Sequence, residues 1–269
     1  MPLPRPAVTV RAMARDTDIL DPLGGLAPET VALFLDIDGT LLDIAPVPEA
    51  VKVPDGLSAT LATLYEALGG ALAFVSGRSI RQIDQLFKPL VLPATGEHGF
   101  EMRRIPHEKI ERLQPPTALN LLRPGVTELA RQLPGVVPEY KSGTIALHYR
   151  QVPKQAEPLR VAIEKMIEPY AQDYAIQTGK MVYEIKPRGV DKGRAITQMM
   201  MAPPFESRTP VFLGDDDTDE HGFEAVHRLG GRAIHVGAGH PAADTALASP
   251  AQVRAWLMRL AERMTSAAA

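Results

Sequence analysis

Apolar residues along this chain gather in short continuous runs that alternate with stretches of helical periodicity. Val31-Ala-Leu-Phe-Leu35 is the first such run and suits a strand buried on both faces. It stops at Asp36-Ile-Asp-Gly-Thr40, where acidic and turn residues take over. Gly56 to Leu68 reads as a helix with Leu57, Leu61, Leu64 and Leu68 on one side. A second buried strand is expected at Ala71–Val75, ending in Ser76-Gly-Arg78. A helix over Ile80 to Phe87 and a third short strand beginning at Val91-Leu92 follow. Strand, helix, strand, helix, strand is the order of a parallel sheet.

The middle of the chain breaks that order. Pro115, Pro116, Pro124 and Pro134 punctuate it, and Thr117 to Leu133 reads as a helix interrupted near Arg123-Pro124. Thr144 to Tyr149 has a strand pattern and Pro158 to Tyr170 a helical one. Tyr174–Gln177 and Met181–Ile185 form an expected hairpin around Thr178-Gly-Lys180. The parallel pattern then resumes with a helix over Lys192 to Met201 and a buried strand at Pro210–Leu213 ending in Gly214-Asp-Asp-Asp217. A helix over Asp219 to Leu229, a strand at Arg232–Val236 and a closing helix over Ala251 to Met264 complete it. The expected organisation is an α/β core of residues 29–107 and 187–269, an inserted α+β unit at 108–186, and a poorly ordered extension over 1–28.

Length and composition narrow the class. The 269 residues, 45% hydrophobic and 23% charged, suffice for a globular core without covalent staples. With no cysteine there are no disulfides, thiolate nucleophiles or cysteine–zinc sites, which fits a cytoplasmic protein. A net charge of −3 speaks against nucleic-acid or membrane-surface binding, and no apolar run reaches membrane-spanning length. The partner expected is a small molecule. The oligomeric state stays open, a monomer being compatible with the sequence.

The chemistry gathers at strand ends. Asp36 with Asp38, Ser76, and Asp215 with Asp216 each follow a predicted buried strand, at the sheet edge where open α/β folds bind ligands. Each cluster alone is ordinary turn chemistry; three together are not. Asp36 and Asp38 alternate with Ile37, and carboxylates that share a water-poor site repel one another unless a cation joins them. With Asp215, Asp216 and Asp219 nearby in sequence, hard oxygen donors of this kind suit Mg²⁺. Gly39 permits a tight turn, and Thr40 offers a hydroxyl or N–H to an anion. Lys192, at a helix start after Gly189-Val-Asp191, can neutralise phosphate charge, although an arbitrary lysine is a solvated surface residue.

Asp36-Ile-Asp-Gly-Thr-Leu41, Ser76-Gly-Arg78, Lys192 and Gly214-Asp-Asp-Asp-Thr-Asp-Glu220 resemble, in order and spacing, the four motifs of haloacid dehalogenase superfamily phosphatases. The inserted unit resembles the α/β cap of that superfamily's sugar-phosphatase branch. Gly96-Glu-His-Gly-Phe-Glu101, Glu139-Tyr-Lys141, Ile145 to Arg150, Val182 to Gly189 and Thr218-Asp-Glu220 are similar to the marks of the trehalose-6-phosphate phosphatase family. The resemblance runs from Val31 to the last helix and implies a Rossmann-like core with an inserted cap.

It also implies roles. Asp36 is the nucleophile that forms an aspartyl-phosphate, and Asp38 protonates the leaving sugar and then deprotonates water. Mg²⁺ is held by a carboxylate oxygen of Asp36, the backbone carbonyl of Asp38 and a carboxylate oxygen of Asp215. Asp216 or Asp219 contributes through water or outer contacts. Ser76 and Lys192 hold phosphoryl oxygens, with Thr40 and Gly77 at the same site. Glu139, Lys141 and Glu184 match the cap residues that contact the sugar, and Glu101 is an expected further contact. Arg78 either orients the second motif or pairs with a carboxylate. Cap hinges are expected near Arg103–His107 and Lys186–Gly189. The competing readings are a phosphatase of sucrose-phosphate or mannosyl-3-phosphoglycerate, a noncatalytic sugar-phosphate sensor, and a phosphomutase.

Overall fold

The computed structural model describes residues 22–45, 50–114, 119–238 and 242–268. Two sheets organise it. The larger has eight strands in the order β12-β11-β10-β1-β2-β3-β4-β5. Its parallel part comprises β1 (Val31–Leu35), β2 (Leu72–Val75), β3 (Ala94–Gly96), β10 (Thr209–Gly214), β11 (Arg232–Val236) and β12 (Thr245–Leu247). β4 (Glu101–Arg103) and β5 (Glu111–Arg112) extend it antiparallel. Every residue of β1 and β2 is buried, which explains why their sequences are unbroken apolar runs rather than alternating ones.

Helices cover both faces. α1 (Leu57–Ala67) and α7 (Pro250–Ala268) place Leu57, Leu61, Leu64, Trp256 and Leu257 in one core layer with Leu33 and Leu35. α5 (Lys192–Met199) and α6 (Glu220–Arg228) supply Ile196, Met199, Phe223 and Val226 to the other, with Phe34 and Phe212. α2 (Ile80–Phe87) starts on a reciprocal cap in which Ser79 and Gln82 satisfy each other's backbone N–H groups.

The second sheet is antiparallel, in the order β6-β7-β9-β8, from β6 (Val137–Tyr140), β7 (Ile145–His148), β8 (Tyr174–Gly179) and β9 (Val182–Pro187). α3 (Leu119–Gln132) and α4 (Ala156–Ile167) pack on it through Leu122, Val126, Leu159 and Ile163, giving this unit its own core. α3 runs through Pro124 without ending.

Several expectations shift. The third strand lies at Ala94–Gly96, past Pro93, rather than at Val91-Leu92. β5, inside the expected insertion, hydrogen-bonds to the core sheet, so the chain leaves that sheet after Arg112 and not near His107. Most of the expected N-terminal extension falls outside the described residues, as do Thr117 and Ala118 of the expected helix. Leu23, assigned to that extension, is buried in the core layer with Val31, Leu68 and Leu260. No helix among the described residues is long and apolar enough to cross a membrane.

Candidate active site

The carboxyl ends of β1, β2 and β10 meet beneath the second sheet around a cavity of about 550 Å³. Core residues Asp36, Asp38, Ser76, Gly77, Arg78 and Lys192 form one wall. Glu139, Lys141, His148, Lys180 and Glu184 of the second unit face them. β1 delivers Asp36 at its end, and Gly39 (φ +93°) turns the chain there. A side chain at Gly39 would collide with the Asp215 carboxylate, its Cβ lying 2.1 Å from Oδ2. That close approach is why the turn carries glycine.

Lys192, at the N-terminal turn of α5, donates from Nζ to Asp36 Oδ1 (2.8 Å) and to Asp219 Oδ1 (2.6 Å), all three side chains being buried. Asp219 Oδ2 also accepts the backbone N–H groups of Asp215 (3.0 Å) and Asp216 (3.1 Å). Asp219 thus shapes the turn after β10 and holds the lysine. Asp216 Oδ1 accepts from the backbone N–H and hydroxyl of Thr218. Thr40, fully buried, turns its hydroxyl to Asp215 Oδ1 (3.4 Å).

One carboxylate oxygen from each of Asp36, Asp215 and Asp219 lies within 4.8 Å of the others. Burial pushes Asp36 upward against the pull of Lys192, and Asp219 and Asp216 add to the rise. Burial and the nearby Asp36 charge lift Asp215 to about 6. Carboxylates crowded at such cost are what a divalent cation relieves, so the donor set fits one. Both oxygens of Asp219 are engaged by the lysine and two amides, whereas the Asp215 oxygens are met by the Thr40 hydroxyl and by Lys180 of the second unit, a partner that a cation would have to displace. Lys180, at the tip of the β8–β9 hairpin, bonds Asp215 Oδ2 across the cavity.

Asp38 and Asp36 part company. Asp38 is half-buried, and Arg78 donates to both of its oxygens, from Nε and Nη2, at 2.6 Å each. Of the two readings left open for Arg78, the structure shows the carboxylate pair. The Ser76 hydroxyl accepts from the Arg78 backbone N–H at 3.2 Å. Gly77 lies against the His98 ring, where a Cβ would come within 2.7 Å of Nε2.

Glu139, Lys141 and Glu184 converge as a set. Lys141 Nζ donates to Glu184 Oε1 and to the Gly77 carbonyl, both at 2.9 Å. Glu184 also accepts from the Thr144 hydroxyl (2.6 Å) and pairs with His98 Nε2 (2.8 Å). Burial alone would raise Glu184, but Lys141, His98 and Thr144 together hold it well below the usual carboxylate range. Burial outweighs the neighbouring carboxylate at His98 and favours the neutral ring, which donates to Glu184 through Nε2–H. Glu139 accepts from Gln82 (2.9 Å) and pairs with His148 (3.0 Å), which holds it down to about 2.

Glu101 departs from expectation: it does not line the cavity. Its buried carboxylate accepts the backbone N–H of Ile80 (2.7 Å), the Arg112 guanidinium (2.9 Å) and the Ser142 hydroxyl (3.3 Å). Lys180, Gln82 and Gln177 line the cavity without having been singled out as site residues. Lys180 was legible only as part of a hairpin turn; its reach to Asp215 depends on how the two sheets face each other.

A trehalose-phosphatase family model matches residues 34–250. The chain belongs to that family. It is 43% identical over 227 residues to the trehalose-6-phosphate phosphatase of Escherichia coli K12, covering 84% of this chain and 85% of the relative. It is 42% identical over 213 residues to a probable trehalose-phosphate phosphatase of Sinorhizobium fredii, covering 79% and 80%. Its fold matches the C. albicans trehalose-6-phosphate phosphatase C-terminal domain with a TM-score of 0.75 at 23% identity, over 87% of this chain and 93% of that one. The inserted antiparallel unit caps the cavity from the side opposite the core strands.

Proposed function

We propose that this enzyme hydrolyses trehalose 6-phosphate to trehalose and inorganic phosphate through a phosphorylated Asp36. The observation that carries the reading is one cavity with a Lys192-paired Asp36 on its core wall and the Glu139, Lys141 and Glu184 set opposite. The core wall offers a nucleophile and cations for a phosphoryl group. The cap wall offers paired donors and acceptors for hydroxyls, which suits a sugar better than an apolar group.

In this reading Asp36 attacks phosphorus while the bond to the sugar oxygen breaks, and Asp38, protonated on an oxygen that Arg78 releases once substrate is bound, delivers that proton to the sugar oxygen. Asp38, then ionised, removes a proton from the water that cleaves the aspartyl-phosphate, so one group serves both steps. Lys192 holds Asp36 in place and, with Ser76, offsets charge on the phosphoryl oxygens. Mg²⁺ would be held by Asp36, Asp215 and the backbone carbonyl of Asp38, where it supplies the charge that lets an anionic nucleophile approach an anionic phosphate. Asp219 fixes Lys192 and the turn bearing Asp215.

Phosphate release across a panel of sugar phosphates tests the assignment. Trehalose 6-phosphate should be turned over with the highest kcat/KM. Faster turnover of sucrose-phosphate or mannosyl-3-phosphoglycerate would overturn it.

A further inference from the structure

The core loop Glu97-His-Gly99, between β3 and β4, places two successive non-glycine residues in the left-handed region, Glu97 at φ +49° and His98 at +58°. Left-handed backbone at bulky residues is held only where its surroundings over-determine it, and it gathers at ligand clamps and switches. Here the surroundings belong to both domains. On the core side the Glu97 N–H donates to the Arg78 carbonyl (2.9 Å) and the His98 N–H to the Ser76 carbonyl (3.0 Å). The loop is therefore tied to the strand end that carries Ser76 and Arg78.

On the cap side, the Glu97 carboxylate is completely buried and spends one oxygen on each of two consecutive amides. Oε1 accepts from the Ser142 N–H (2.9 Å) and Oε2 from the Gly143 N–H (2.8 Å). These residues form the turn between β6 and β7. Phe100 closes the seat from another side: a Cβ at Gly143 would lie 2.3 Å from its ring, so only glycine lets the turn settle there. On either side of the gripped amides stand Lys141, which reaches Gly77 and Glu184, and Thr144, which also bonds Glu184.

We propose that Glu97 is a positioning residue for substrate recognition: by gripping the Ser142 and Gly143 amides it seats the cap turn so that Lys141 and Glu184 face the phosphoryl site. A carboxylate is suited to the task because it accepts two parallel N–H groups at once, and charge-assisted bonds of this kind are strong when buried. An amide side chain turns an NH₂ toward one of the two N–H groups, and alanine leaves both amides buried and unpaired. Glu97 touches no reacting atom in this account. It acts through the place of Lys141.

This inference rests on the phosphatase reading, and its test separates the two. Kinetics are measured for trehalose 6-phosphate and for p-nitrophenyl phosphate, an aryl ester with no sugar for the cap to hold. Glu97→Ala should raise KM for trehalose 6-phosphate about tenfold or more while turnover of the aryl ester stays within about twofold of the parent. Glu97→Gln should lie between. Gly143→Ala, which disturbs the seat from the cap side without touching Glu97, should reproduce the pattern and decides the matter if Glu97→Ala does not fold. An activity-independent readout comes from spin labels on Val161→Cys in the cap and Met258→Cys in the core, both half-exposed in a chain without cysteine. Glu97→Ala and Gly143→Ala should broaden the interdomain distance distribution. Unchanged KM and unchanged distances in both variants would overturn the proposal. Equal loss on both esters with unchanged distances would do so too, by reducing Glu97 to a structural role. A wrong substrate would instead show in the parent enzyme's preference and leave the distance result standing.

Discussion

Arg78 grips both carboxylate oxygens of Asp38 at 2.6 Å, so the residue proposed to move protons is fixed by a rigid two-pronged partner. Replacing Arg78 by alanine should free Asp38 to rotate away from the leaving oxygen. We expect kcat for trehalose 6-phosphate to fall about 10–100-fold, a share of the roughly 10²–10⁴ that positioned proton transfer is worth. Lysine should not restore it, because an ammonium cannot match the two-oxygen fork. Steady-state kinetics of both variants check this, and parent-level kcat in Arg78→Ala would contradict it.

The buried Lys192 bridges Asp36 and Asp219, neither of which has solvent to turn to. Lys192→Ala should abolish turnover. It should also cost about 3–5 kcal/mol of stability, the penalty for breaking a buried pair by removing one partner. Added Mg²⁺ should recover part of that stability by supplying charge near Asp36. Denaturant unfolding with and without the ion measures both effects.

Chelation should stop turnover, and Mg²⁺ should raise the melting temperature of the parent by binding the folded state alone. Asp215→Asn should remove most of that rise. The Lys180 ammonium bonds Asp215 Oδ2, one of the oxygens offered to a cation, and so opposes its binding. Lys180→Ala should therefore tighten Mg²⁺ binding in calorimetry of the substrate-free protein, and weaker binding would refute the competition.

Glu184 ties Lys141, Thr144 and His98 into one buried network and is held well below its ordinary value of 4.5. A carboxylate with a depressed folded-state pKa contributes stability that is complete above its unfolded value and is lost as pH falls below it. The parent should accordingly lose melting temperature below about pH 4.5 more steeply than Glu184→Gln does, since the amide has no proton to take up. Parallel acid slopes in the two proteins would count against this role.

Much of the core could be read in advance because burial leaves a simple imprint. β1 and β11 lie where their apolar runs lie, and α2 spans the Ile80 to Phe87 stretch that reads as a helix. The polar clusters after β1, β2 and β10 were legible for the same reason, as breaks in apolar runs. β4, β5 and β12 are two or three residues long, too short for any period to show. β6 carries Pro138 and lies at a sheet edge, where a missing N–H costs nothing and the apolar signal is weak. What could not be read was the docking of cap on core. Nothing local to Lys180 points to Asp215, nothing near Glu97 points to Gly143, and the partners that turn Glu101 from a sugar contact into a structural acceptor, Ile80, Arg112 and Ser142, lie far from it in sequence.

Rapid acid quenching of a single turnover with phosphorus-labelled trehalose 6-phosphate reads directly whether Asp36 takes the phosphoryl group. Label should pass transiently onto the protein and be recovered in the peptide that carries Asp36, and Asp36→Asn should show neither label nor turnover. Full-speed phosphate release without any protein-bound label, or undiminished turnover in Asp36→Asn, would contradict it.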